Sequence, residues 1–344
     1  MDRLRIAASS LLVLFALISS ASAEGFAKLF DGESLDGWVQ RGGQATYEVD
    51  ATAEGGPQIV GTSVPDTPNS FLCTDRDYAD FVLEFEVLVD PVLNSGVQFR
   101  SACFDEPTTS EGVSIAPGRV HGYQAEVDPS PRAYSGGVYD EARRGWLYSL
   151  ANNPEGREAF VAGRWNKYRV EAIGTEIRIW INGIQTANVI DDMTSTGFIA
   201  LQVHSIPNRK ELAGREVRWR NIRIKTTDLE KARWKASPHA PEINWIPNTL
   251  SAHEKRTGWR MLWDGKSSKG WRSARGSEFP TQGWEMEDGV LTVLASDGAE
   301  SANGGEWCLH WRIADWPKNE SLSKGPEKFD QANPFDRQKK ILVV

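Results

Sequence analysis

The strongest constraint on this chain is a period of two. Phe81, Leu83, Phe85, Val87 and Val89 fall on alternate positions, with Glu84 and Glu86 among the residues between them. Successive side chains of a strand point to opposite faces, so this pattern predicts a strand with one face in a core. Tyr168 to Ala172 and Ile177 to Ile181, parted by Gly174-Thr175, read as a hairpin. Asn182-Gly183 comes next, and both residues tolerate the positive φ that a tight hairpin turn requires. Phe198 to His204 and Val217 to Lys225 supply further strands, and no stretch sustains a helical period. Many short strands punctuated by turns imply an all-β sandwich or barrel.

The N-terminus carries a different signal. A basic start (Arg3, Arg5), an apolar run from Leu11 to Ile18 and small residues at Ala21 and Ala23 read as a secretory leader over residues 1–23. The run is too short to span a bilayer, and no later segment is long and apolar enough. The expected location is therefore periplasmic or extracellular. A net charge of −8 argues against nucleic acid or an anionic membrane as partner. Three cysteines are too few for a disulfide scaffold, although Cys73 and Cys103 could pair in an oxidising compartment. The 14 tryptophans suit either core packing or stacking on sugar faces, and the core is the favoured place for most of them.

A motif recurs along the chain. Leu29-Phe30-Asp31-Gly32-x-Ser34-x-x-Gly37-Trp38 returns from Leu262 to Trp271 with the same spacing. The expected organisation is one complete domain over residues 24–225, a Pro-containing linker over 226–258 and a truncated second copy over 259–344. A half-length copy cannot close a two-sheet core. The polar tail from Pro317 to Lys340 is expected to be poorly ordered.

Alternation also assigns faces. Gln124, Glu126 and Asp128 share one side of a strand whose other side carries Tyr123, Ala125 and Val127. Gln98 and Arg100 oppose Val97 and Phe99, and Gln202 and His204 oppose Leu201 and Val203. Three strands thus present polar faces, which in the simplest case meet only water. Solvated faces usually carry Lys, Glu and Thr, whereas this one is rich in Gln, His and Arg, which favours a site. A glycine-containing loop, Tyr134 to Glu141, delivers Tyr139 and acids to a strand end. Phosphate loops, dinucleotide fingerprints, nucleophile elbows and zinc spacings are missing from the sequence.

The opening motif, Asn94-Ser95-Gly96-Val97-x-Phe99-Arg100, Gly122-Tyr123-Gln124-x-Glu126-x-Asp128, Trp165-Asn166-x-Tyr168, Asn182-Gly183 and Gly197-Phe198-Ile199-x-Leu201-Gln202-x-His204 together resemble the 3-keto-disaccharide hydrolase domain family. The resemblance covers Phe26 to Lys225 and the opening of the second unit. It implies a concanavalin-like jelly roll of two sheets and a hydrolase with a carbohydrate substrate, which the leader would export. A sugar oxidised at C3 has an acidic C2 proton, and its removal gives an enolate that can expel the group at C1. Such a route needs a base, a donor for the enolate oxygen and an acid for the leaving group. Glu126, Asp128 and His204 are the candidate catalytic groups. Arg100 is the candidate oxyanion donor, with Gln98, Gln124, Gln202 and Tyr139 binding substrate. Carboxylate and imidazole together would suit a divalent cation, though no ligand spacing demands one. A two-carboxylate glycosidase using Glu126 and Asp128 is the competing enzyme. A lectin-like binding module and a structural envelope protein are the non-enzymatic alternatives.

Overall fold

The computed structural model describes residues 25–110, 112–273 and 276–294, together with the backbone of 308–310. Residues 1–23, expected to be a leader, and the tail from Pro317 to Lys340 lie outside the described residues. In chain order the strands are β1 (Ala27–Lys28), β2 (Trp38–Gly42), β3 (Thr46–Asp50), β4 (Gln58–Thr62), β5 (Ser70–Thr74), β6 (Phe81–Val89), β7 (Ser95–Ala102), β8 (Thr108–Ser110), β9 (Val113–Ile115), β10 (His121–Val127), β11 (Val138–Glu141), β12 (Gly145–Tyr148), β13 (Asn166–Ile173), β14 (Glu176–Ile181), β15 (Ile184–Ile190), β16 (Phe198–Val203), β17 (Glu216–Lys225) and β18 (Ile243–Asn244). Nine of them build one sheet, ordered β18-β15-β14-β13-β6-β17-β4-β3 with β1 beside β17. Seven build the other, ordered β12-β11-β10-β7-β16-β5-β2. The all-β two-sheet expectation holds.

The core forms where the two alternations meet. Phe81, Leu83, Phe85, Val87 and Val89 of the nine-stranded sheet are buried together with Val97, Phe99, Tyr123, Ala125 and Val127 of the seven-stranded sheet. Phe81 meets Phe99 edge-on across the sheets at 6.3 Å between ring centres, and Phe85 stacks on Tyr168 at 5.0 Å. Such aromatic pairs add to the stabilisation that burial alone gives. Asn182 and Gly183 take φ of 50° and 88° and join β14 to β15, the turn their identities predict. Among the described residues no helix is long and apolar enough to cross a membrane.

Within residues 226–258, read from sequence as a linker, the stretch from Trp234 to Trp245 lies against the sandwich. The backbone N–H of Trp234 donates to Glu171, that of Ser237 donates to Gln185, and β18 pairs in parallel with β15. The indole of Trp245 reaches the Leu147 carbonyl at 3.1 Å. The prolines interrupt regular structure, yet enough donors and rings remain for this segment to dock on the nine-stranded sheet. Cys73 and Cys103 are free thiols. Cys73 instead packs with Phe71, Val120, Phe198 and Ala200 in a small satellite cluster, and Cys103 lies against it.

The repeated motif closes the same turn twice. Asp31 accepts from the N–H groups of Glu33 and Ser34, and the Trp38 indole donates to the Leu29 carbonyl at 3.0 Å. Asp264 accepts from Lys266 and Ser267, and the Trp271 indole donates to the Leu262 carbonyl at 2.8 Å. Among the described residues only the first occurrence leads into the sandwich.

Candidate functional site

The outer face of the seven-stranded sheet carries the predicted polar set, and the register fixes who stands beside whom. Gln124 on β10 lies between Gln98 on β7 and Tyr139 on β11, while Glu126 is opposite Gly96, which is opposite Gln202 on β16. Gln98, Gln124, Glu126 and Gln202 are nearly or fully buried. That fits no open, solvated sheet face.

A one-directional chain of hydrogen bonds ends on Glu126. Ser101 Oγ donates to Gln98 Oε1 at 2.9 Å, Gln98 Nε2 to Gln124 Oε1 at 2.7 Å, and Gln124 Nε2 to Glu126 Oε2 at 2.8 Å. Asn94 Nδ2 donates to the other carboxyl oxygen at 2.7 Å. Gly96 makes this possible, because a Cβ there would meet the Gln124 carboxamide at 2.3 Å. Burial pushes the Glu126 carboxyl up and Asp128 adds to the effect, while Asn94, Gln124 and Arg132 offset only part, leaving it at about 7. Neutral amides orient a carboxylate without supplying the charge that would keep it ionised in a dry site.

Asp128 sits near Glu126 with its oxygens committed. Oδ2 accepts from Arg132 Nε at 2.8 Å and Oδ1 from the Ser130 N–H at 3.1 Å. Arg132 also lies 3.8 Å from Glu126 and stacks over Tyr134 and Trp146. Tyr139 is half-buried and meets Trp146 edge-on at 5.1 Å. Burial raises its hydroxyl pKa, and the Glu141 and Glu126 carboxylates raise it further. His204, just beyond β16, is half-buried, with Nδ1 2.8 Å from the Ser205 carbonyl. Burial raises the Glu141 carboxyl, and Arg119, His204 and Asn69 offset part of the rise.

Arg100 does not belong to this face. A bulge gives it a φ of 46°, and the register shifts on both flanking pairings. One extra residue reverses the facing of the residues after it, so Ser101 takes the place expected of Arg100. The guanidinium instead binds Asp80 at 2.8 Å and the carbonyls of Ala79 and Gly174 at 2.9 Å. It ties β7 to the loops of the other sheet, and the expected oxyanion donor is lost. Sequence reasoning also passed over Asn94, Ser101, Arg119 and Glu141 as site residues. Asn94 stood inside a quoted motif, but a loop residue has no alternation to assign its direction. Among the described residues no three His, Cys, Asp or Glu side chains gather as a metal-binding set.

Fold and face together define a β-sandwich with a buried carboxyl–amide site on one sheet. Residues 25–225 match the family model of the 3-keto-alpha-glucoside-1,2-lyase-like domain. The chain belongs to that family, as the sequence motifs led us to expect, and the match ends before the second motif. The chain is carbohydrate-related by this membership. A comparison with the curated proteins finds no match. Among solved structures the chain is similar to a glycosyl hydrolase candidate from Parabacteroides distasonis, at 17% identity and a TM-score of 0.38, over 60% of this chain and 95% of that one. It is also similar to a family 66 carbohydrate-binding module from Bacillus subtilis, at 16% identity and a TM-score of 0.34, over 55% of this chain and 95% of that one.

Proposed function

We propose that this chain is an exported enzyme that cleaves 3-keto-glycosides, 3-keto-disaccharides among them, by elimination across C1 and C2, with Glu126 as the base. The observation that carries this reading is a buried carboxyl, gripped on both oxygens by amides, whose pKa stands at about 7. A base is most effective when its pKa lies near the working pH. A binding module has no use for such a group. The family's description, a lyase acting at the 1,2 position of a 3-keto-glucoside, supports the same chemistry. His204 serves as the acid for the leaving group, and addition of water to the unsaturated product completes a net hydrolysis. The two-carboxylate alternative is weaker because Asp128 is held by Arg132 and Ser130.

Incubation with 3-keto-trehalose and 3-keto-sucrose in heavy water tests this directly. The C2 hydrogen should be lost to solvent, and any 3-keto sugar formed by re-addition of water should carry deuterium at C2. Retention of that hydrogen, or equal cleavage of the unoxidised disaccharides, would count against elimination. Export is tested separately, by mass spectrometry of secreted protein. An N-terminus at or near Glu24 is expected, and an intact Met1 on abundant soluble protein would refute it.

A further inference from the structure

With Arg100 turned away, the face lacks its expected oxyanion donor, yet it holds a group that no contact explains. Gln202 is fully buried, and neither its amide nitrogen nor its side-chain carbonyl oxygen has a partner among the described residues. The other described side chains with such an orphan, among them Tyr148, Asn188 and Trp219, leave a single atom each. A carboxamide brings two N–H donors and an acceptor oxygen. Sealing them from water without partners is costly, and an apolar side chain would fill the position without that penalty. The place in the sheet gives the reason to keep it. Gln202, Gly96 and Glu126 form one row across β16, β7 and β10. Gly96 contributes no side chain, and the Gln124 amide that donates to Glu126 lies across it.

We propose that Gln202 is the hydrogen-bond donor to the C3 oxygen of the oxidised sugar, the role that Arg100 cannot fill. The inference rests on Glu126 being the base. The Glu126 carboxylate takes the C2 hydrogen as a proton. The C–H electron pair forms C2=C3, and the carbonyl π pair moves onto the C3 oxygen, which faces the Gln202 N–H. The enolate then re-forms C3=O and makes C1=C2. The C1–O bond breaks, its electron pair stays on the leaving oxygen, and that oxygen is protonated by the acid. The Gln202 carbonyl accepts from the hydroxyl at C4, so one carboxamide reads the ketone and its neighbour together. The amide is sealed from solvent, so the sugar engages it by displacing the side chains that close over it. A donor of this kind strengthens as charge develops on the oxygen, which is where catalytic benefit arises.

The test separates this idea from the reading beneath it. A 3-keto derivative of 1,5-anhydroglucitol has no exocyclic group at C1 to expel, so exchange of its C2 hydrogen in heavy water, followed by proton NMR, reports enolate formation without glycoside cleavage. Wild type should exchange C2, and Gln202→Leu should do so about 10²–10³-fold more slowly, the usual loss when an oxyanion donor is removed. Its thermal midpoint should be no lower than that of wild type, because an orphan amide has been replaced by an apolar group. Gln202→Met serves as the second variant if Gln202→Leu does not fold. Exchange at the wild-type rate in a folded variant overturns the role of Gln202. Failure of wild type to exchange C2 while it cleaves disaccharides overturns the Glu126 reading and this proposal with it.

Discussion

Glu84 and Glu126 are buried to nearly the same degree, at 6% and 4% exposure, on the outer faces of opposite sheets, yet their carboxyls are pushed in opposite directions. At both, burial is the largest influence and raises the pKa. Around Glu84 it is more than offset by Arg223 and Arg169, whose guanidinium groups lie 2.5 and 2.7 Å away, and the carboxyl is held below its usual range. Around Glu126 the close partners are amides, and the carboxyl rises to about 7. The nine-stranded face continues as a lattice of such pairs, Arg169 with Glu171, Arg220 with Glu86 and Arg178 with Glu176. Trp234 lies over Arg169, and Trp165 over Arg220. A cleft of about 350 Å³ opens beside this lattice, lined by Lys28, Asp31, Glu84, Glu86, Lys167 and Arg223. Concavity and charge are both present there. What distinguishes the other face is a carboxyl poised near neutrality and, in Gln202, an amide orphaned at both ends among the described residues, where Glu171, Arg178 and Asn188 of the charged face each leave one atom.

The contrast can be broken by exchanging what each face does. Glu126→Gln should lower turnover by about 10²–10⁴-fold, the range for loss of a general base, with cooperative unfolding preserved. Full activity in that variant would remove Glu126 from the mechanism. Arg169→Ala should act on stability, because it leaves Glu84 and Glu171 as buried carboxylates that have lost their shared arginine. Urea unfolding should show a loss of about 3–5 kcal/mol, with turnover per folded molecule unchanged. A loss of turnover without a loss of stability would reverse the assignment of the two faces.

The two carboxyls should also respond oppositely to pH. Glu126 has a raised folded-state pKa, so its contribution to stability is complete below about 4.5 and is lost as pH rises through about 7. The stability of Glu126→Gln relative to wild type, whatever its offset, should therefore grow by up to about 3 kcal/mol across that window. Glu84 has a depressed pKa, so its contribution is present above the unfolded value and is lost as acid protonates it. Turnover should rise with pH through about 7 as Glu126 ionises, and a flat profile would argue against it as the base. Trp234 packs edge-on against Trp180 as well as over Arg169, and Trp234→Ala should cost about 1–2 kcal/mol. The smallest effect is expected at the second motif. Asp264→Ala should change the unfolding midpoint of the sandwich very little, since its contacts close only its own turn. A clear drop would mean that residues 259–294 support the sandwich.

Alternation, the Asn182-Gly183 turn and the repeated Asp-Gly motif were legible because each is a local rule: a strand has a period of two, and a turn needs particular φ angles. They determined the all-β class, the strands around the core and the sharing of one face by Gln98, Gln124, Glu126 and Gln202. The family motifs carried the same stretch to the family that residues 25–225 match. Tertiary structure decided the rest, for reasons that lie outside any single strand. The bulge at Arg100 is one extra residue that breaks the parity from which facing is inferred, and only the register with β10 and β16 reveals it. The docking of Trp234 and Trp245 depends on donors and acceptors far along the chain, which proline content alone does not disclose. Whether a polar face is a lattice or a site turns on which partner each buried group meets across strands. Glu84 meets arginines, Glu126 meets amides and the Gln202 carboxamide meets no partner among the described residues, and only the assembled sheets decide this.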